Sequence, residues 1–255
     1  MKVSIITVCY NSARTIGDTL QSVSEQSYGN IEHIIVDGQS GDNTLEVVAT
    51  KGMHVTRLVS ERDSGIYDAM NKGLALASGE VVGFLNSDDF YADAAVLAKI
   101  ANVFQDPAVD ACYGDLVYVT QDNSQVVRYW KSKPFTKGDF AKGWCPAHPT
   151  FYVRKSVIER LGYFDQSYKL AADVEFMMRY LERGQIRAVY IPHVLVRMRL
   201  GGASNQSWKN IVLQNKEIFA ALRKNGIPFS VIWFTVNKVL SRLHQFIVGR
   251  VRRHH

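Results

Sequence analysis

The sequence predicts an α/β fold, a mixed sheet flanked by helices with a helical extension at the C-terminus. Three observations predict it. Through the first 85 residues, apolar runs of strand length alternate with segments of helical period. Between Ala111 and Trp130 the segments shorten and alternate, as antiparallel strands do. Beyond residue 204 the chain turns basic and helical in pattern. A length of 255 residues suits one large domain, 1–204, with an appendage, 205–255.

Val3 to Cys9 reads as a buried strand, and Ala13 to Glu25 as an amphipathic helix with Ile16, Leu20 and Val23 on one face. Strands at Ile31–Val36, Val55–Ser60 and Val81–Leu85 then alternate with helices at Asn43–Lys51 and Ile66–Ala77. Such βαβ alternation implies a mainly parallel sheet covered on both faces. A helix from near Ala92, another over Asp173–Arg183, a strand over Ala188–Ile191, a loop at Gly201-Gly202 and two C-terminal helices complete the prediction.

Composition narrows the function. With 47% hydrophobic and 21% charged residues the chain is that of an ordinary globular protein. Cys9, Cys112 and Cys145 lie far apart without CxxC spacing, which fits a reducing compartment and neither a disulfide framework nor a thiolate metal site. The chain enters its first strand without the pattern of a secretory signal, so a cytoplasmic location is expected. Residues 205–255 hold nine Lys and Arg against one acid, Glu217, so the net charge of +6 resides in the tail. The basicity therefore does not mark a nucleic-acid binder.

In sheets of this kind ligands bind beyond the carboxyl ends of the strands. Those ends are polar here: Tyr10-Asn11-Ser12, Asp37-Gly38, Glu61-Arg62-Asp63 and Asn86-Ser87-Asp88-Asp89. Asp88 and Asp89 have two readings, as carboxylates for a hard divalent cation or as caps of the helix that follows. Asp37 is placed to accept hydrogen bonds from a base or ribose, and Asp42 or Asn43 to cap a helix. The segment YNSART lacks the glycines of a dinucleotide fold, and there is no GxxxxGK[ST] loop. A Mn²⁺ or Mg²⁺ ion at the aspartate pair is the replacement these absences leave for holding phosphates.

The runs VSIITVCYN, VDGQSGDNT, SERDSGIYDAMNKGLALASGE and FLNSDD, in this order and spacing, resemble the family 2 glycosyltransferases of GT-A fold, with bacterial exopolysaccharide and colanic-acid enzymes the nearest in kind. The resemblance covers residues 1–204. It implies an inverting transfer from a nucleotide sugar, with a UDP-sugar favoured, onto a saccharide or lipid-linked saccharide. It places Thr7, Tyr10, Asn11, Asp37, Asp63 and Lys72 around the nucleotide, Asp88 at the donor sugar and Asp89 on the metal. Ser87 stands where a strict DxD element would have its first acid. Asp173 matches the position of the base, although its place before an apolar-periodic stretch equally reads as a helix cap, and Glu175 is the alternative acid. Ala172 stands where the usual pattern has a second acid. His148, between two prolines, is expected beside the acceptor, and Arg199 in a loop that closes over the donor.

In the tail, apolar residues at 229, 232, 233, 236, 240, 243 and 247 form a helical stripe beside Lys238 and Arg242. Two readings stand: an interfacial helix on an anionic membrane, on the inner face, or a helix packed on its own domain or on a second subunit in a homodimer. Two rivals to glycosyl transfer remain open on these residues. A non-catalytic nucleotide-sugar binding subunit shares every feature above except an active base, and a nucleotidylyltransferase needs a Gly-rich basic loop that YNSART does not supply.

Overall fold

A computed structural model describes residues 1–201 and 208–251. The expected loop at Gly202, with Arg252, Arg253 and the terminal histidines, lies outside them. The strands are β1 (Val3–Cys9), β2 (Ile31–Asp37), β3 (Val55–Ser60), β4 (Val81–Phe84), β5 (Phe90–Tyr91), β6 (Ala111–Val119), β7 (Val126–Trp130), β8 (Tyr152–Arg154) and β9 (Ala188–Arg199). The helices are α1 (Ile16–Ser24), α2 (Thr44–Lys51), α3 (Ile66–Leu76), α4 (Val96–Val103), α5 (Lys155–Leu161), α6 (Ala172–Met178), α7 (Trp208–Lys224) and α8 (Val231–Val251).

The strands form one mixed sheet in the order β3-β2-β1-β4-β8-β6-β9-β5, with β7 paired to β6. The first four are parallel, as the βαβ alternation predicts. Their carboxyl ends therefore open on one edge, where β1 and β2 finish side by side with Cys9 opposite Asp37. β1 is buried along its whole length, which is why its sequence reads as an unbroken apolar run rather than an alternating one. Beyond β4 the sheet becomes antiparallel through β8. Gly83 makes that junction, because a side chain there would run into the ring of Tyr152 on β8.

The strand expected over Ala188–Ile191 continues to Arg199 and pairs parallel with β6, not antiparallel. Pro192 has no N–H for the ladder, and the register shifts around Asp115, opposite that stretch. The interruption hides the strand's second half from a periodicity argument, and that half delivers Arg199 to the strand-end edge. The helix expected from Ala92 begins at Val96, because β5 occupies Phe90–Tyr91.

The tail is continuous with the core. Ile218, Ala221, Leu222 and Phe234 are buried in the cluster that includes Phe164, Phe176 and Tyr180. Residue 204 thus marks a change of composition, not a break in packing. Among the described residues no helix is long and apolar enough to cross a membrane.

Candidate functional site

A cleft of about 1420 Å³ opens at the carboxyl ends of the parallel strands and runs to the loops before α6. It exceeds the roughly 300–1,000 Å³ of a typical small-molecule site, so it has room for two substrates.

One end is built from the loops after β1, β2, β3 and β4. Asn11 takes a left-handed backbone, φ 50°, which Asn tolerates better than most residues. That turn lets its N–H donate to Ser40 Oγ at 2.8 Å and its Oδ1 accept from the Gly41 N–H at 2.9 Å. Tyr10, Asn11 and Asp63 line the cleft. Asp63 closes against Gly38, where a Cβ would strike its carboxylate, so the glycine in VDGQSGDNT is a steric requirement.

Thr7, Asp37 and Lys72, expected beside the nucleotide, stand behind that wall. Thr7 is buried and pairs with His33 Nε2 at 3.0 Å. Asp37 is fully buried, and its carboxylate accepts from the Ser40 N–H at 3.0 Å, Ser40 Oγ at 2.5 Å and Ser60 Oγ at 2.6 Å. Lys72 donates to the Arg62 carbonyl at 2.6 Å and pairs with Glu61 at 2.9 Å. Asp37 and Lys72 hold the loops after β2 and β3, and Thr7 ties β1 to β2, so none of the three lines the cleft.

The aspartate pair caps nothing. α4 starts seven residues beyond Asp89 after Ala95, and the Ala95 N–H is taken by Asp93 Oδ1 at 2.8 Å. Asp88 faces the cleft, whereas Asp89 is fully buried beneath it. The oxygens of Asp89 accept from Asn86 Nδ2 at 3.1 Å and from the Arg199 N–H at 3.3 Å. Burial pushes the Asp88 carboxyl above its ordinary value, and it pushes Asp89 further, with the neighbouring Asp88 charge adding to the shift. The carboxylate that meets the cleft is thus Asp88, while that of Asp89, expected on the metal, lies beneath it.

Arg199 is likewise not a loop residue. It is 6% exposed at the end of β9, and its guanidinium donates to the Asp88 carbonyl at 3.0 Å, to the Gln121 carbonyl at 3.0 Å and to Asp18. It straps the Asn86–Asp89 turn to the β6–β7 turn and to α1.

At the other end, His148 lines the cleft on a short 3₁₀ turn, His148–Thr150. Pro146 and Pro149 restrict the backbone, and Thr150 Oγ1 donates to the Ala147 carbonyl at 2.7 Å. His148 Nδ1 lies 3.1 Å from Asp173 Oδ2, and the Tyr67 hydroxyl donates to Asp173 Oδ1 at 3.1 Å. Asp173 sits in the first turn of α6 without capping it, and does not reach the wall of the large cleft. Burial, with the Asp173 charge beside it, pushes the Tyr67 phenol well above its ordinary value, which keeps it a donor. Glu175, the alternative acid, is fully buried and paired with Arg179 at 3.2 Å and Lys224 at 3.7 Å.

Comparison with known proteins decides the family. The family model for glycosyl transferase family 2 matches residues 4–162. The chain belongs to glycosyl transferase family 2. This glycosyltransferase is 30% identical over 208 residues to a PGL/p-HBAD biosynthesis glycosyltransferase of Mycobacterium bovis BCG, covering 79% of this chain and 78% of that one. It is 32% identical over 184 residues to an uncharacterized glycosyltransferase of Mycobacterium tuberculosis, covering 69% and 68%. Its fold is similar to that of the mannosyltransferase PcManGT from Pyrobaculum calidifontis, solved with GDP-Man and Mn²⁺, at TM-score 0.69 and 23% identity over 95% of this chain and 70% of that chain. It is similar also to S. aureus TarS 1-349 in complex with UDP-GlcNAc, at TM-score 0.68 and 20% identity over 88% of this chain and 65% of that chain. These likenesses establish the α/β GT-A fold.

The glycosyltransferase uses one residue that sequence reasoning passed over. Glu217, the one acid of the tail, accepts the backbone N–H groups of Lys169, Leu170 and Ala171 at 3.0, 2.8 and 2.9 Å. From α7 it holds the segment that leads into α6, two residues before Asp173. Its isolation among cations was the only signal available.

Proposed function

We propose that this glycosyltransferase inverts configuration as it moves a sugar from a nucleoside diphosphate donor, a UDP-sugar favoured, onto a saccharide or lipid-linked saccharide. The observation that carries the reading is a single cleft with the Asp88 carboxylate at the strand-end side and His148, which is paired with Asp173 behind it, at the other.

Among the described residues no group of three His, Cys, Asp or Glu side chains could hold a metal ion by itself. The donor set fits instead a Mg²⁺ or Mn²⁺ ion shared between Asp88 and the donor's phosphates, the usual mode for cations that need one or two protein carboxylates. Such an ion would offset the charge of the leaving diphosphate. Tyr10, Asn11 and Asp63 bind the nucleoside, and Arg199 keeps the Asp88 turn in place. The acceptor hydroxyl attacks the anomeric carbon on the face opposite the diphosphate, the new C–O bond forms as the old one breaks, and the His148–Asp173 pair takes the proton. The tail, basic and with Ile232 and Trp233 exposed at 75% and 67%, rests on an anionic membrane surface, where a lipid-linked acceptor would lie.

Thermal-shift measurements with UDP-, GDP- and dTDP-sugars, with and without Mn²⁺, test the reading. A donor at 100 times its Kd contributes about 2.7 kcal/mol, a Tm rise of roughly 5–10 °C. If no nucleotide sugar stabilises the protein, the reading fails.

A further inference from the structure

We propose that the acceptor is a sugar carried on a lipid phosphate, and that the ammonium of Lys169 pairs with that phosphate and sets the preference for it. The inference rests on the transfer reading above and names the class of its acceptor.

Three observations carry it. The first is a cation left over on the cleft wall. Lys169 is exposed and lines the large cleft together with His148 and Leu170. The acids of its own loop and of the helices beside it pair with other groups. Asp165 pairs with Lys224 at 2.6 Å, Glu175 with Arg179 and Lys224, Asp173 with His148, and Glu217 with three backbone N–H groups. Among the described residues the Lys169 ammonium therefore makes no ion pair, and it faces a space built for ligands.

The second is the mounting of that cation. Glu217 on α7 accepts the Lys169 N–H at 3.0 Å, and Gln214 Nε2 reaches the Leu170 carbonyl at 3.5 Å. The ammonium is thus presented from a backbone that α7 holds. A lysine binds phosphate as a point charge on a flexible stem, so a fixed root is what gives the contact a definite place.

The third is what lies on its far side. Leu213 precedes Glu217 by one helical turn and shares its face of α7. Leu213 and Val212 are exposed at 38% and 52%, and they begin the apolar outer face of the tail. Lys169 consequently stands between the acceptor end of the cleft and a surface suited to a bilayer. In a lipid-linked sugar the group between ring and hydrocarbon is a phosphate. A carboxylate on the sugar ring itself would call for a cation inside the cleft rather than on the side toward the tail.

The donor does not supply this anion. Its diphosphate belongs beside Asp88 at the strand-end side, where Arg14 also lines the cleft. Two anions at two ends need two separate sites of positive charge. Pairing at Lys169 is also remote from the bonds that form and break, so it acts on acceptor KM and leaves kcat alone.

The test uses the whole chain with its nucleotide site filled by the nucleoside diphosphate that stabilises it most. Farnesyl phosphate is the probe, and farnesol and inorganic phosphate are the controls. In calorimetric titrations farnesyl phosphate should bind wild type more tightly than either control. Lys169→Ala should weaken its binding roughly tenfold, the loss of one charge-assisted contact, and should leave farnesol unaffected. Lys169→Arg should restore most of the affinity, and raised salt should narrow the gap between wild type and Lys169→Ala. Apo Tm should stay the same in both variants, because Glu217 holds a backbone N–H that each of them keeps. The inference is overturned if wild type does not bind farnesyl phosphate, if Lys169→Ala binds it like wild type, or if farnesol binds equally well. It is overturned too if inorganic phosphate displaces the probe at matching concentration, which would make this a free-anion site. A smaller donor-induced thermal shift in Lys169→Ala would overturn it by assigning the cation to the donor. All of these outcomes leave the transfer reading standing, and that reading fails separately if no nucleotide sugar stabilises wild type.

Discussion

The two ends of the cleft are held in different ways. At the donor end each supporting carboxylate has a partner in its own loop, Asp37 in Ser40, Asp42 in Thr44, Asp63 in the Gly65 N–H and Asp89 in Asn86, to which Ser60 and Arg199 add bonds to Asp37 and Asp89 from β3 and β9. At the acceptor end the partners are far apart in the chain. Tyr67 and Asp173 are separated by 106 positions, and Glu217 reaches back 46 positions to Ala171. Local loops make a donor pocket that folds with its strands. Long-range contacts make an acceptor pocket that exists only once α3, α6 and α7 have docked.

The largest expected effect separates Asp88 from Asp89. Asp88→Asn should lower kcat/KM on the order of 10²–10³-fold and abolish Mn²⁺-dependent donor stabilisation, with apo Tm unchanged or raised. The sign follows from burial. A carboxyl raised above its unfolded value favours the folded state at acid pH, and that contribution is lost as pH rises through the folded value, so a neutral amide removes a cost at pH 7. Asp89→Ala should instead lower apo stability, and with it Tm, at a cost of about 1–3 kcal/mol for each donor left unpaired, Asn86 and the Arg199 N–H. Kinetics with and without Mn²⁺ on both variants check the pair, and an exchange of their phenotypes would return the metal to Asp89.

The same contrast explains what could be read from the sequence. β1, β3 and the parallel alternation were legible because their signals are local and periodic. So was the importance of the strand ends, since parallel topology alone places them together. The division between wall and frame was not legible. Asp88 and Asp89 are adjacent and chemically identical, and only the arrival of Arg199 from β9 decides which one is covered. β8 has three residues, and β9 is broken by Pro192, so neither carries a periodic signal. Asp173 resembled a helix cap because an acid before an apolar stretch is the usual sign of one. The segment before α6 is held in space by Glu217, which no local pattern connects to it.

Glu217→Ala breaks the comparison at its acceptor end. Three N–H groups lose a charged acceptor, at a cost of about 2–4 kcal/mol in stability, measured by chemical denaturation. Transfer should fall further than the lost stability accounts for at a temperature where the variant is folded, and donor-induced thermal shift should persist, because no donor-end loop touches Glu217. Equal loss of donor binding would show that the two ends are one cooperative unit.

The smallest effect concerns the outer face of the tail. α7 turns Ile218, Ala221 and Leu222 into the core and leaves Val212 and Leu213 exposed; α8 turns Phe234 inward and leaves Ile232, Trp233, Val236 and Leu240 exposed. The hairpin that fixes the acceptor loop through Glu217 thus presents an apolar outer face flanked by the exposed Lys209 and Lys216. On an anionic bilayer that face would bring the acceptor end to the surface where a lipid-linked substrate is found, whereas a second copy of the chain offers the same cations and would repel them. Each Lys near such a surface contributes about 1 kcal/mol, so Lys216→Ala should weaken co-sedimentation with phosphatidylserine vesicles roughly fivefold, and raised salt should erase the difference. Turnover on a soluble acceptor should not change. Concentration-dependent dimerisation without vesicle binding would assign the face to a homodimer and leave both ends of the cleft as described.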